Sequence, residues 1–91
     1  MSDYEFPADL LELQRAYWAA DARVLEVTEA LPPSPAIVAG EAEISEEQRA
    51  ELAEAREQRL RALEAMNNHA WWATVPTRYA AWMALQKAAK A

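Results

Sequence analysis

The residues best suited to chemistry or recognition crowd into the C-terminal third of this 91-residue chain. His69, Trp71, Trp72, Tyr79 and Trp82 fall within fourteen residues, with Arg59, Arg61, Arg78, Lys87 and Lys90 around them. Tryptophan, tyrosine and arginine are the types that anchor protein interfaces. Rings beside cations can also stack nucleic-acid bases and meet phosphates. A small domain uses such rings equally well as core filler. Adjacent Trp71 and Trp72 cannot face the same way on regular backbone, so one is expected inside and the other partly outside. Trp71 continues the helical spacing of Leu60, Leu63 and Asn67, and its loss is expected to destabilise more than that of Trp72.

Catalytic constellations find little support. The serines are Ser2, Ser34 and Ser45, and the last reads as a helix cap. His69 is the single histidine, with no serine or acid close to it in sequence, so no triad is prepared. Glu64 stands five residues away, on the wrong helix face for shared ligation. The acids Glu41, Glu43, Glu46 and Glu47 lack the fixed spacing of a calcium loop. No cysteine means no disulfide, no thiolate and no sulfur-ligated zinc. A single glycine, Gly40, leaves no room for a glycine-rich phosphate loop. The helical chorismate mutases are similar in length, but their pocket needs arginines and a lysine spread along the helices. Here Arg15 and Arg23 lie on the first helix and no lysine precedes Lys87, so the pattern is missing. The sequence assigns no catalytic residue, no metal ligand and no cofactor, and it reads as a non-enzyme.

Charge is unevenly spread. The formal net charge is −6. Residues 1–31 and 32–57 each carry seven acids against two arginines, whereas residues 58–91 carry five cations against Glu64 alone. The basic third is expected to lie against acidic surface, within the chain or on a partner. An acidic total repels a polyanion, and Arg78 and Lys87 are out of phase on a helix, so no basic stripe forms and nucleic acid is not the expected partner. No apolar run approaches the roughly 18 residues of a membrane span. The start, Met1-Ser2-Asp3-Tyr4-Glu5, is acidic and has no apolar stretch of signal type, so a cytoplasmic protein is expected.

The elements that must position these residues are helices. Alanine, glutamate, leucine and arginine dominate, and no alternating run suggests a strand. The spacing predicts helices over about 7–31, 45–68 and 77–89, a connection at 32–44 and an aromatic corner at 69–76, all in one domain, 1–91. The fold class is all-α: two long antiparallel helices with a shorter third, like a three-helix bundle. Helix one carries an apolar row of Leu10, Leu13, Tyr17, Ala20, Val24, Val27 and Leu31. A second row, Leu11, Trp18 and Leu25, makes the face too wide for one partner helix. Pro32 and Pro33 stop this helix. Ser45-Glu46-Glu47-Gln48 is a capping box at the start of helix two. The inner stripe of helix two is expected along Ala53, Arg56, Leu60, Leu63, Asn67 and Ala70. On helix three the expected inner face is Tyr79, Trp82, Met83, Gln86 and Ala89.

His69-Ala70-Trp71-Trp72-Ala73-Thr74-Val75, followed by Arg78-Tyr79 and Met83-Ala84-Leu85, resembles the C-terminal motif of small uncharacterised actinobacterial helical proteins. Phe6-Pro7-Ala8-Asp9-Leu10 and Ala20-Asp21-Ala22-Arg23 are similar to the same group. The resemblance covers most of the chain and implies an origin but no activity. The function expected is non-catalytic protein–protein association, with a homodimer joined through helix one. Candidate interaction residues are Trp18, Leu11, Leu25, His69, Trp71, Trp72, Arg78, Tyr79 and Trp82. The alternative is a small-ligand or nucleic-acid binding protein that uses the aromatic and basic C-terminal third.

Overall fold

A computed structural model describes residues 4–90, and among them every regular element is a helix. The order is α1 (Ala8–Glu29), α2 (Ser34–Val38), α3 (Glu46–Asn67), a 3₁₀ turn (Ala70–Thr74) and α4 (Arg78–Lys90). The all-α class is as the composition predicts. Pro7 sits one position earlier than its residue type suggests, at the N-cap, where its carbonyl accepts from the amides of Leu10 and Leu11. The helix stops at Glu29, before the Pro32–Pro33 pair.

Residues 32–44 are more ordered than a crossover needs to be. Pro33 caps α2, and Ala39 and Gly40 close it. Gly40 adopts φ +75°, its amide donates to Ile37 O, and the Glu41 amide donates to Ala36 O. That pair of bonds is a Schellman closure, which needs a left-handed residue after the last turn. The chain's one glycine stands at that position. Ser45 then caps α3, with its hydroxyl accepting from the Gln48 amide and the Gln48 side chain accepting from the Ser45 amide, both at 3.0 Å. Of the other serines, Ser34 opens α2, and Ser2 lies outside the described residues.

Helices α1 and α3 each have 22 residues, a length of about 33 Å, and they pack antiparallel. Their pairing is fixed along the length by Asp9 with His69, Arg59 with Asp21 and Arg23 with Glu51. Helix α4 runs parallel to α1. Gln86 donates to Gln14 across the two helices, and Arg15 Nε donates to Ala89 O at 3.0 Å. Two buried clusters result. The larger joins Leu10, Met66, Trp72, Ala81 and Leu85, with Leu11, Leu13 and Leu63 packed against it. The smaller holds only Val24, Val27 and Ala55, with Leu52 beside them.

Three inward faces differ from the sequence expectation. On α3 the buried residues are Ala55 and Met66, with Leu52, Ala62 and the expected Leu63 partly buried, whereas Ala53, Arg56, Leu60 and Asn67 are exposed, as is Ala70 in the 3₁₀ turn. On α4 the core takes Ala81, Leu85 and Ala89, and Tyr79, Trp82 and Met83 point out. The cause is shared. Alanines at the contact let helix axes approach closely. Third, Trp72 is buried, at 6% exposed, and Trp71 only partly so, the reverse of the expected order. Helical spacing from α3 was the wrong guide, because α3 ends at Asn67 and a 3₁₀ turn resets the phase.

The 13 residues of α4 span about 20 Å and cover only the N-terminal half of α1. Beyond that the α1–α3 hairpin continues alone. The molecule is 55 × 21 × 20 Å, with a radius of gyration of 17.6 Å. A compact domain of this length would have about 12 Å.

Candidate functional site

The aromatic corner is assembled at the end of α3. Asn68 closes that helix, and His69 caps the following 3₁₀ turn by accepting from the Trp71 amide at Nδ1, 3.0 Å. With Nδ1 accepting, the ring proton sits on Nε2, which donates to Asp9 Oδ2 at 2.9 Å. This hydrogen bond from His69 holds the Asp9 carboxyl below the ordinary aspartate range. Both imidazole nitrogens are therefore engaged, one in a backbone cap and one in a tie to the first turn of α1. Neither is directed at a space where a substrate or an ion could meet it.

Trp72 and Arg78 close the carbonyl end of α3. Trp72 Nε1 donates to Met66 O at 2.7 Å within the core, and Arg78 Nη2 donates to Asn67 O at 2.9 Å. The Arg78 guanidinium also lies 4.7 Å from the centre of the Trp72 ring. A cation and two donors at a helix C-terminus satisfy carbonyls that the helix itself leaves without partners. Trp71 meets Phe6 at 5.0 Å and Trp72 at 5.3 Å between ring centroids, with Tyr4 at 6.1 Å. Residues 69–78 thus tie the start of α1, the end of α3 and the start of α4 together. Of the candidate interaction residues, His69, Trp71, Trp72 and Arg78 meet here. Leu11 packs against the adjoining core cluster.

The other candidates face outward. Tyr79 is 72% exposed and Trp82 39%, and their rings stack with centroids 6.4 Å apart. Met83 is half exposed beside them. On α1, Leu25 is 59% exposed and Trp18 is partly buried. The row Leu11, Trp18, Leu25 explains the gradient. Its first member lies in the cluster that α4 covers, and its last lies beyond the reach of α4. Among the cations, Arg59 pairs with Asp21 at 3.2 Å and Arg61 with Glu57 at 2.6 Å. Arg49, Arg56, Lys87 and Lys90 have no ion-pair partner among the described residues.

One open groove of about 420 Å³ lies on the α1–α3 hairpin, lined by Tyr17, Arg56, Arg59, Leu60 and Leu63. Leu60 is 53% exposed. The groove combines an apolar floor with two guanidinium groups, a surface suited to rings or to anionic apolar groups. Sequence spacing put Arg56 and Leu60 in the core and so missed the groove. The signal available was a second row, Leu52, Ala55, Ala62 and Met66, about a quarter turn round the helix. Gln14 was missed too. It is 1% exposed, and its side-chain oxygen accepts from the Gln86 amide across the helices. Among the described residues no three histidines or acids are placed to hold a metal ion, and no helix is long and apolar enough to cross a membrane.

Fold and surface define an all-α helical-bundle protein: a long hairpin, buttressed at one end by a third long helix. The chain belongs to DUF8825, a domain family of unknown function whose match runs over residues 9–88, from the first turn of α1 to the last turn of α4. No curated protein and no solved structure matches it.

Proposed function

We propose that this protein is a non-catalytic association module that pairs with a second copy of itself. The observation that carries this reading is the half-covered hairpin. Helix α4 buttresses the first half of α1, and the remaining hairpin has only Val24, Val27 and Ala55 buried. A core that small stabilises little, since folding stability grows with the fraction of surface removed from water. Exposed Leu25 and Leu60 and the partly buried Trp18 are what a partner would cover. Apolar patches of a few hundred Å² on small proteins commonly mark interfaces, and a twofold dimer is the commonest way to cover one.

Sedimentation equilibrium at micromolar concentration tests the reading. A dimer mass is expected, and a single 10.2 kDa species would refute it. Leu25→Glu should dissociate the dimer with helicity retained, because Leu25 contributes to neither buried cluster.

A further inference from the structure

We infer that this protein docks on anionic lipid surfaces through the outward face of α4. None of the residues on that face belongs to the hairpin surface proposed to meet a second copy, so the inference goes beyond self-association and does not rest on it.

Helix α4 has two distinct sides. Ala81, Leu85 and Ala89 are buried, the first two in the cluster with Leu10 and Met66. Tyr79, Trp82 and Met83, at i, i+3 and i+4, make an exposed apolar patch on the other side, with the two rings stacked. Lys87 and Lys90 follow four and seven residues after Met83, so they fall on the same side, and both are exposed without an ion-pair partner among the described residues. Arg78 opens the helix and is also exposed. At the far end Arg15 of α1 donates to Ala89 O and brings one more cation to the last turn. The helix itself contains no acid. Rings and a thioether are thus bracketed by cations at both ends.

That combination is the chemistry of a headgroup layer. Tryptophan and tyrosine carry an apolar body and a polar edge and settle at the boundary between headgroups and acyl chains, while lysines meet the anionic headgroups. The shape agrees. The inner side of α4 is already core, and every residue on its outer side is exposed, so the helix presents a convex ridge. A partner protein that takes up a peptide or helix uses a groove, whereas a fluid lipid surface accepts a ridge and lets its rings sink in.

The net charge of −6 does not oppose this orientation. Along residues 10–18 of α1, the stretch that α4 covers, the one acid is Glu12, about half a turn from Leu10 and Gln14, which face α4. The molecule is about 20 Å across, twice the roughly 10 Å over which exposed charges act at about 0.1 M salt. Acids on the far side are therefore screened from a surface that α4 touches.

The test is co-sedimentation of the full-length protein with vesicles of phosphatidylcholine, alone or with about a third phosphatidylserine, at about 0.1 M and about 0.5 M salt. Binding is expected to the mixed vesicles at the lower salt, with none to neutral vesicles and little at the higher salt. Each lysine near such a surface contributes about a fivefold factor, so Lys87→Ala with Lys90→Ala should lower the partition constant at least about tenfold. Tyr79→Ser with Trp82→Ser removes the apolar anchor and should lower it by a similar factor of about ten. Circular dichroism confirms that helicity is unchanged; should the Trp82 change disturb α4, the lysine pair, at fully outward positions, carries the test alone. Wild-type protein that ignores the mixed vesicles at the lower salt would overturn the inference, and so would undiminished binding by the lysine variant. Retention on an acidic peptide or on duplex DNA without vesicle binding would overturn it in favour of a protein or nucleic-acid partner. Sedimentation equilibrium without lipid reads self-association separately from all of these results.

Discussion

Replacing Trp72 is the sharpest probe of how this chain is held together. The side chain is 6% exposed and contacts the cluster of Leu10, Met66, Ala81 and Leu85. Truncation of a buried tryptophan to alanine costs about 3–5 kcal/mol. Part of that loss here is the hydrogen bond to Met66 O, worth about 1 kcal/mol net, and part is the cation–π contact with Arg78, worth about 0.5–1 kcal/mol. The Met66 carbonyl is not orphaned by the change, because the His69 amide also donates to it at 3.3 Å. Trp72→Phe keeps most of the ring volume and removes the donor, so about 1–2 kcal/mol is expected. Trp71 is only partly buried and packs by ring contacts at the edge, and Trp71→Ala should cost about 1–3 kcal/mol. A domain of this length has a total stability of about 5–14 kcal/mol, so the Trp72→Ala loss will be conspicuous. Urea unfolding followed by far-ultraviolet circular dichroism, with equal protein concentrations, measures all three. A Trp72→Ala midpoint equal to or higher than that of Trp71→Ala would refute the assignment of Trp72 as the inner ring.

Two further perturbations address the polar contacts. Gln14→Ala removes the acceptor of the partly buried Gln86 amide and leaves a cavity in the α1–α4 seam, and should destabilise by about 1–3 kcal/mol, whereas Gln14→Leu with Gln86→Leu should be close to neutral; a double-mutant cycle in urea reads the coupling. For Asp9, the hydrogen bond from His69 favours the ionised carboxylate, so its folded-state pKa is depressed. The stabilisation is complete above the ordinary aspartate pKa and is lost only as pH falls through the lowered value, leaving the neutral range unaffected. The Asp9 carboxyl resonance should titrate below the ordinary range, and in His69→Gln its midpoint should move up; an unchanged midpoint contradicts the tie between α1 and the corner.

The division between head and bare hairpin has an energetic side. Large and charged side chains dominate the surface of α3, and its inward residues include Ala55 and Ala62 beside Leu52, Leu63 and Met66. Close approach of α1 and α3 is thereby possible along their whole length, but the apolar area removed from water is small where α4 is missing. In that half the surface pairs Arg23–Glu51 and Arg59–Asp21 set the register of the hairpin more than its stability, since exposed ion pairs contribute little.

Sequence alone determines what depends on short-range chemistry. The all-α class follows from residues whose helix preference needs no partner. The stop before Pro32, the capping box at Ser45 and the break near Asn68 are each local hydrogen-bonding or steric facts, complete within a few residues. What tertiary structure decides is which face of each helix turns inward. On α3 two stripes compete, one through Arg56 and Leu60 and one through Leu52, Ala55, Ala62 and Met66, and the second turns inward, because the helices packed against α3 select the face. The same rule turns Tyr79 and Trp82 out and Ala81 and Leu85 in. It also decides the fate of the aromatic corner, where the choice between Trp71 and Trp72 hangs on a 3₁₀ turn whose phase no helical count across Asn68 can supply. His69 with Asp9, Arg15 with Ala89 and Gln14 with Gln86 are separated by 60, 74 and 72 residues, and only the folded chain brings them together.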